Sequence, residues 1–319
     1  MNALAATPSA CFLVLNYNGI DHLEECLGSA LAAVRRLGRR CAVVLVDNQS
    51  TDDSVAFTRR RFPEVEIVVP PKNDFLFSLN GVAEARREEV LIIVNNDMRF
   101  DEGFIAPLLS HFHDPDLFCA GAAIRTWDGS ADTVGPRSAR VERWWFHKDW
   151  LLDRQQLSWT LDACAGAAAY RRRMFVALGG FDPLFRPGYY EDLDLSYRAW
   201  TRGWKTLYDP RSRAYHKESA SMIARYGDSG KARLLYRNHL LFTLKNVGGP
   251  AFLAMFLLLL PYRVLSPLVR WHRVPLTGFL RALPLMPLAL RHRFGGTGGL
   301  DLSRFETVDP VDRPVTRLA

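Results

Sequence analysis

The sequence is short of the features that mark several common protein classes. No G-x-G-x-x-G follows any of its apolar runs, so the glycine-rich turn that seats a dinucleotide pyrophosphate on a helix N-terminus is missing. A nicotinamide-dependent oxidoreductase is disfavoured on that ground. Cysteine is sparse: Cys11, Cys26, Cys41, Cys119 and Cys164 are scattered, odd in number and form no C-x-x-C pair. That argues against a disulfide framework and a zinc site, and predicts a reducing compartment. The first ten residues hold neither a basic stretch nor an apolar one, so no secretory signal is expected. Acidic residues are missing altogether between Ser229 and Leu300, where ten Lys and Arg fall. The formal charge of +7 therefore belongs to that segment, and the rest of the chain is slightly acidic. These cations are interleaved with long apolar runs instead of lining a polar face, so no nucleic-acid partner is expected.

What is present is regular. Residues 11–15, 42–46, 65–69 and 90–94 are apolar, strand-length runs, and helical patterns over 21–37, 54–62 and 78–87 separate them. Continuous Val/Ile/Leu strands alternating with helices predict an α/β fold, a mostly parallel Rossmann-like sheet with helices on both faces. In such sheets ligands bind beyond the carboxyl ends of the strands. Three of those ends are rich in Asn and Asp: Asn16-Tyr17-Asn18-Gly19, Asp47-Asn48-Gln49-Ser50-Thr51-Asp52 and Asn95-Asn96-Asp97. One such turn is ordinary Asx chemistry, closing a strand or capping a helix. Three on one edge suggest a polar site, and oxygen ligands of this kind suit Mg²⁺ or Mn²⁺.

Further on, Gly179-Gly180-Phe181-Asp182 leads through an aromatic, Pro-containing loop to Glu191, Asp192 and Asp194. Leu193, Tyr197, Trp200 and Trp204 continue at helical spacing, and Asp194 and Arg198 stand four apart, within pairing reach. Acids at a helix start complement its dipole. A carboxylate projecting from a shaped loop can also take a proton from a hydroxyl. The aromatic Trp144, Trp145, Phe146 and Trp150 lie in a stretch read as irregular, and serve either as core or as an acceptor-site wall.

In order and approximate spacing, these motifs resemble those of family 2 glycosyltransferases, inverting enzymes of the GT-A fold, and especially their rhamnosyltransferase-like branch. The resemblance covers residues up to about 245. It implies a GT-A domain over 1–245, its nucleotide-sugar half at about 10–125 and its acceptor and catalytic half at 126–245. Asp47 and Asn48, with Asn16 and Asn18, are then expected to bind base and ribose of a dTDP- or UDP-linked sugar, with Asn80 and Asn96 among the donor contacts. Asp97 takes the metal-binding D-x-D position, although the first acid of that motif is Asn95 here. Asp192 is the expected general base, with Glu191 beside it. His216 matches a histidine that reaches the metal or pyrophosphate, and Arg237 and Asn238 match a late pair near the diphosphate. The run Asn73-Asp74-Phe75-Leu76-Phe77 lacks the glycine usual in the family, while Asn80-Gly81 keeps part of the later pattern. The alternative is a non-catalytic sugar-nucleotide-binding protein of the same fold.

The expected reaction is inversion at the anomeric carbon: one base activates a glycan or lipid-linked hydroxyl while the diphosphate departs. Residues 246–295 remain, followed by a polar tail over 296–319. The run 251–260 is densely apolar but short of the roughly 20 residues of a spanning helix, and Pro261 and Arg263 are read as closing it. Apolar and basic residues mixed in this way predict helices in the membrane interface, against anionic lipid on the cytoplasmic face of a bacterial plasma membrane. The other reading is a helical hairpin packed on the core or across a homodimer.

Overall fold

The computed structural model describes residues 8–38, 41–151, 153–217, 220–271 and 273–295. Glu218, Ser219 and the tail over 296–319 lie outside them. The first half alternates as the apolar periodicity requires: β1 (Ala10–Asn16), α1 (Ile20–Leu37), β2 (Cys41–Asp47), α2 (Ser54–Arg61), β3 (Glu66–Val68), α3 (Ser78–Ala85) and β4 (Val90–Asn95). These four strands pair in parallel, with Asn16 beside Asp47 and Leu15 beside Asn95 in register. The three polar strand ends therefore share one edge.

The second half is more mixed. It comprises β5 (Met98–Phe100), α4 (Ile105–Ser110), β6 (Leu117–Thr126), β7 (Asp132–Val134), β8 (Arg137–Glu142), β9 (Trp145–Trp150), β10 (Ser158–Trp159), β11 (Ala167–Arg171), α5 (Arg172–Ala177), α6 (Glu191–Trp200) and β12 (Lys205–His216). The main sheet runs β10-β12-β6-β11-β4-β1-β2-β3, with β5 added to β12 and β7 to β6. β12 and β6 are parallel, whereas β11 runs antiparallel between β4 and β6. Alternation along β1 sends Cys11 and Leu13 to one apolar layer and Phe12 and Val14 to the other, so both faces of the sheet are covered.

The stretch read as irregular is instead a two-stranded ribbon. β8 and β9 pair antiparallel from Arg137/Trp150 to Glu142/Trp145, apart from the main sheet. Arg143 and Trp144 turn the chain in the left-handed region, at φ 49° and 60°, with no Gly or Asn-Gly to announce the hairpin. Phe146 and Ala139 bury one ribbon face against the body of the domain.

Four helices complete the described chain: α7 (Ala220–Asn246, bent at Gly227), α8 (Pro250–Leu265), α9 (Val274–Ala282) and α10 (Met286–Gly295). Pro261 and Arg263 do not close α8; the helix runs through both to Leu265 and continues as a 3-10 turn to Arg270. Proline removes one hydrogen bond and crowds the preceding turn, but the flanking apolar packing carries the helix past it. Among the described residues one segment, Pro250–Val269, is by length and composition apolar enough to cross a membrane. Its Phe252, Phe256, Leu260 and Val264, four apart, bury one stripe against the catalytic body.

Candidate active site

At the carboxyl ends of β1, β2 and β4 the polar residues form a single network. Asn16 donates from Nδ2 to Asp47 Oδ1 (2.8 Å) and to Ser50 Oγ (3.2 Å), and Asn96 Nδ2 donates to Asn16 Oδ1 at 2.5 Å. Asp47 also accepts from the Ser50 amide and hydroxyl, at 2.9 and 2.6 Å. Asn18 takes φ 48° and accepts from Thr51 N at 2.7 Å. Asn48 donates to the Phe75 carbonyl at 2.7 Å, while its own buried Oδ1 has no partner. Gly19 is required here: a Cβ would stand 1.9 Å from Asn96 Nδ2. The structure thus brings Asn16, Asn18, Asp47, Asn48 and Asn96 together. Phe75 occupies the place of the family's glycine and adopts φ 53°, a left-handed conformation that costs a residue with a Cβ about 1–2 kcal/mol.

Next to this network, β12 ends where β4 turns into β5. His216 Nε2 lies 3.1 Å from Asp97 Oδ2, and Asp97 Oδ1 is buried with no partner. One imidazole and one carboxylate with an unused oxygen fit a hard divalent cation whose other ligands come from phosphate and water. No cluster of three His, Cys, Asp or Glu ligands occurs among the described residues, so the protein alone does not enclose such an ion.

The catalytic loop is held from several sides. Asn80 clamps the Gly-Gly-Phe turn, donating to Phe181 O and accepting from Phe181 N, each at 2.9 Å. Gly180 has φ 67°, and a Cβ on it would lie 2.2 Å from Asn80 Oδ1. Asn238, fully buried on α7, donates to the carbonyls of Phe185, Gly188 and Tyr189 and accepts from Arg237 Nε. Arg237 in turn donates to the Arg186 carbonyl. Asn80 and Asn238 therefore bind the protein's own backbone, and influence the site by shaping the loop. Arg186 pairs with Asp74, tying this loop to the one before α3. Tyr189 and Tyr190 both adopt left-handed φ, 68° and 74°, immediately before α6.

This strained entry delivers Glu191 and Asp192 to the first turn of α6. Asp192 Oδ1 accepts from Leu193 N at 2.7 Å, and Glu191 Oε2 is buried with no partner. Burial, then the neighbouring Asp192, raises the Glu191 pKa to about 8. Burial and then Asp162 raise that of Asp192, with Arg137 and Lys148 pulling it back. A helix dipole favours anions here by about 0.3–1 kcal/mol, less than one pKa unit, so desolvation outweighs it. Both acids are raised above their ordinary values, and because each bears on the other they lose their protons in two interdependent steps. Asp194, one step on, has the opposite environment. Burial would raise its pKa, but Lys245 and Arg198 bring it down to about 2, with Lys245 Nζ at 2.6 Å and Arg198 Nε at 2.7 Å.

Several members of this site were not singled out from sequence. Asp162, buried before β11, accepts from Arg137 Nη1 at 3.1 Å and leaves Oδ1 without a partner. Lys148 Nζ sits 4.6 Å from the Tyr190 ring centroid, and the Tyr190 hydroxyl lies 3.0 Å from His239 Nδ1. A lone acid in the small, apolar run 161–169 was a legible signal for Asp162. Lys148 and His239 gave none, because a ribbon and a distant helix bring them in.

A mixed sheet with its polar edge at the strand ends, an Asp–His pair beside it and desolvated acids opening a helix make up the site of a glycosyltransferase. The sequence profile of glycosyl transferase family 2 matches residues 11–179, more than half of the chain, and the chain belongs to that family. It is 26% identical over 240 residues to the N-acetylglucosaminyl-diphospho-decaprenol L-rhamnosyltransferase of Mycobacterium tuberculosis, covering 66% of this chain and 76% of that protein. It is 25% identical to the O-antigen biosynthesis protein RfbC of Myxococcus xanthus, over 68% of this chain and 18% of that one. Among solved structures it is similar to GalNAc-T7 with UDP, GalNAc and Mn²⁺ (TM-score 0.58, 16% identity, 76% of this chain and 48% of that chain). It is also similar to the mannosyltransferase PcManGT of Pyrobaculum calidifontis with GDP-Man and Mn²⁺ (TM-score 0.56, 18% identity, 95% and 79%). The fold is GT-A, and the chain is a glycosyltransferase of the rhamnosyltransferase-like branch.

Proposed function

We propose that the chain is an inverting hexosyltransferase moving a sugar, L-rhamnose first among candidates, from a dTDP- or UDP-linked donor to a hydroxyl of a lipid-linked glycan. The observation that carries this reading is the Glu191–Asp192 pair. Two desolvated carboxylates at the mouth of a family 2 fold, one with an unused oxygen, suit a base working near neutral pH. Asp192 removes the acceptor proton as the hydroxyl attacks opposite the leaving diphosphate, and Glu191 shares the charge of the pair. Asn16, Asn18, Asp47, Asn48 and Asn96 form the wall for base and ribose. Asp97 and His216 would hold Mg²⁺ or Mn²⁺, and such an ion would supply positive charge to a departing diphosphate. Arg237, which donates to the Arg186 carbonyl and to Asn238 Oδ1, acts by holding the catalytic loop. The relative's diphospho-decaprenol acceptor supports a lipid-linked substrate, and with it a place at the inner face of a bacterial plasma membrane.

The test is Asp192→Asn assayed with dTDP-rhamnose and UDP-sugars against a lipid-linked acceptor. The variant keeps size and hydrogen bonding but has no base, so kcat falls at least 100-fold while donor affinity stays within about twofold. Retention of more than a tenth of the rate moves the base elsewhere, and no rate in the wild type with intact donor binding favours the non-catalytic reading. In the same assay, excess EDTA abolishes turnover if Asp97 and His216 hold the metal.

A further inference from the structure

The ribbon β8–β9 and helix α8 carry cations outside the donor wall, and one of them, Lys148, also bears on the base Asp192. Both acids of the ribbon, Glu142 and Asp149, are bonded to Arg140. Lys148, Arg143 and Arg263 form no ion pair with any described residue. Lys148 and Arg263 both bear on His239, and Arg143 bears on Arg263. The Trp145 ring lies tilted against His239 with centroids 4.5 Å apart, and Arg263 Cζ lies 4.8 Å from the Trp145 ring centroid. Arg263 also donates to the Arg143 carbonyl. Burial, then the nearby Lys148, His147 and Arg263, hold His239 neutral, with its pKa lowered to about 3. In the tautomer that accepts from the Tyr190 hydroxyl at Nδ1, His239 Nε2 carries the hydrogen, and that buried atom has no partner. Arg263 Nε is likewise buried with no acceptor. Two orphaned N–H donors among three unpaired cations lack one thing, an anion.

Continuity supplies the rest. Lys148 lies over Tyr190, the residue preceding Glu191 and Asp192. Trp145 in turn stacks on Phe256 of α8 at 5.7 Å, and the opposite side of that helix exposes Leu257, Leu258, Tyr262 and Leu265. A molecule spanning base, cations and helix carries a hydroxyl, then an anionic group, then a hydrocarbon chain. We infer that Lys148, His147, Arg143, Arg263 and His239 form a subsite for the phosphate or diphosphate joining sugar to lipid in the acceptor, with the lipid lying along α8. This deepens the proposed transfer to a lipid-linked acceptor and rests on that reading for its orientation toward Asp192.

Binding tests it without turnover. The full chain, with excess UDP and dTDP present to fill the donor site, is titrated with farnesyl diphosphate, farnesol and inorganic diphosphate by calorimetry. Farnesyl diphosphate binds at least tenfold tighter than either fragment. Lys148→Met and Arg263→Met each weaken it at least fivefold, Arg263→Lys less than Arg263→Met, and UDP and dTDP affinities stay unchanged. Farnesol binding as tightly as its diphosphate reduces the surface to an apolar face and overturns the subsite. So does inorganic diphosphate binding as tightly as the lipid form, or an affinity indifferent to both Met variants. A chain that binds farnesyl diphosphate through Lys148 and Arg263 yet transfers no sugar upholds the subsite and sinks the transferase reading. Efficient transfer with lipid-diphosphate binding unaltered in the variants does the reverse.

Discussion

At the residue scale, the chemistry depends on a few charges placed within a poorly solvated pocket. Asp162 and Arg137 bear on Asp192 with opposite signs, the acid raising its pKa and the guanidinium lowering it. Replacing Asp162 with Asn removes the negative neighbour and frees Arg137 to act on Asp192 unopposed. Both changes favour the ionised base. The acid limb of the kcat/KM profile for Asp162→Asn therefore moves to lower pH than in the wild type, and Arg137→Met moves it higher. A purely structural role for Asp162 would lower the rate and leave the limb in place. Measuring both profiles over the range in which the protein stays folded decides between the two.

At the scale of elements, α6 is placed by one buried acid. Asp194 receives Arg198 from its own helix and Lys245 and Asn246 from α7, and Lys245 also reaches Asp182 at 2.6 Å. Removing one partner of a buried ionic network leaves the others uncompensated, at a cost of about 3–5 kcal/mol. Asp194→Asn is expected to lower the denaturation midpoint accordingly, and to lower activity by loosening the loop that positions Asp192. The sign with pH follows from the shift. The folded pKa of about 2 lies below the ordinary 3.8, so this stabilisation is complete above about pH 4 and is lost as pH falls toward 2. Denaturant titrations of wild type and Asp194→Asn should converge over that interval. Parallel curves down to pH 2 would show that the acid is not ionised in the fold. Glu191 behaves oppositely: its raised pKa penalises the folded state as pH climbs toward 8, a cost accepted at a working site.

At the scale of the whole molecule, the C-terminal helices are both part of the body and an exposed apolar surface. α9 and α10 pack along α7, His292 bonds Asp182, and Arg293 donates to the carbonyls of Leu244, Val247 and Gly248. Yet Leu258, Tyr262, Val269, Trp271 and Phe294 are each at least 70% exposed, with no acid in this whole segment. Isolated exposed apolar residues are ordinary, but a group this dense on a basic segment is suited to an anionic lipid surface. Deleting residues 247–295 would uncover Phe256, Leu260 and the catalytic loop, so point changes are the cleaner probe. The wild type should sediment with anionic liposomes at low salt and be partly released at high salt as screening removes the electrostatic share. Leu258→Gln with Trp271→Ser should weaken that binding at least fivefold without changing the denaturation midpoint. A wild type that stays in the supernatant would assign this face to another chain.

The sequence by itself determined the parallel first half of the sheet, the polar edge at Asn16, Asp47 and Asn95–Asp97, and the helix opening at Glu191. Each is a local pattern: an apolar run of strand length, an Asx turn, a three-and-four spacing. The i, i+4 pairing of Asp194 with Arg198 was legible for the same reason. Tertiary structure alone decided which polar groups face a ligand and which hold the protein. Asn80 and Asn238 have the side chains of donor contacts, but segments about 100 and 50 residues away occupy their amides. The β8–β9 hairpin lacks a recognisable turn, and α8 passes the proline expected to stop it, because packing outweighs local propensity at both places. The neutrality of His239 and the raised pKa of Glu191 arise from desolvation and from charges brought together across four elements. Those depend on distances in space, which spacing along the chain does not encode.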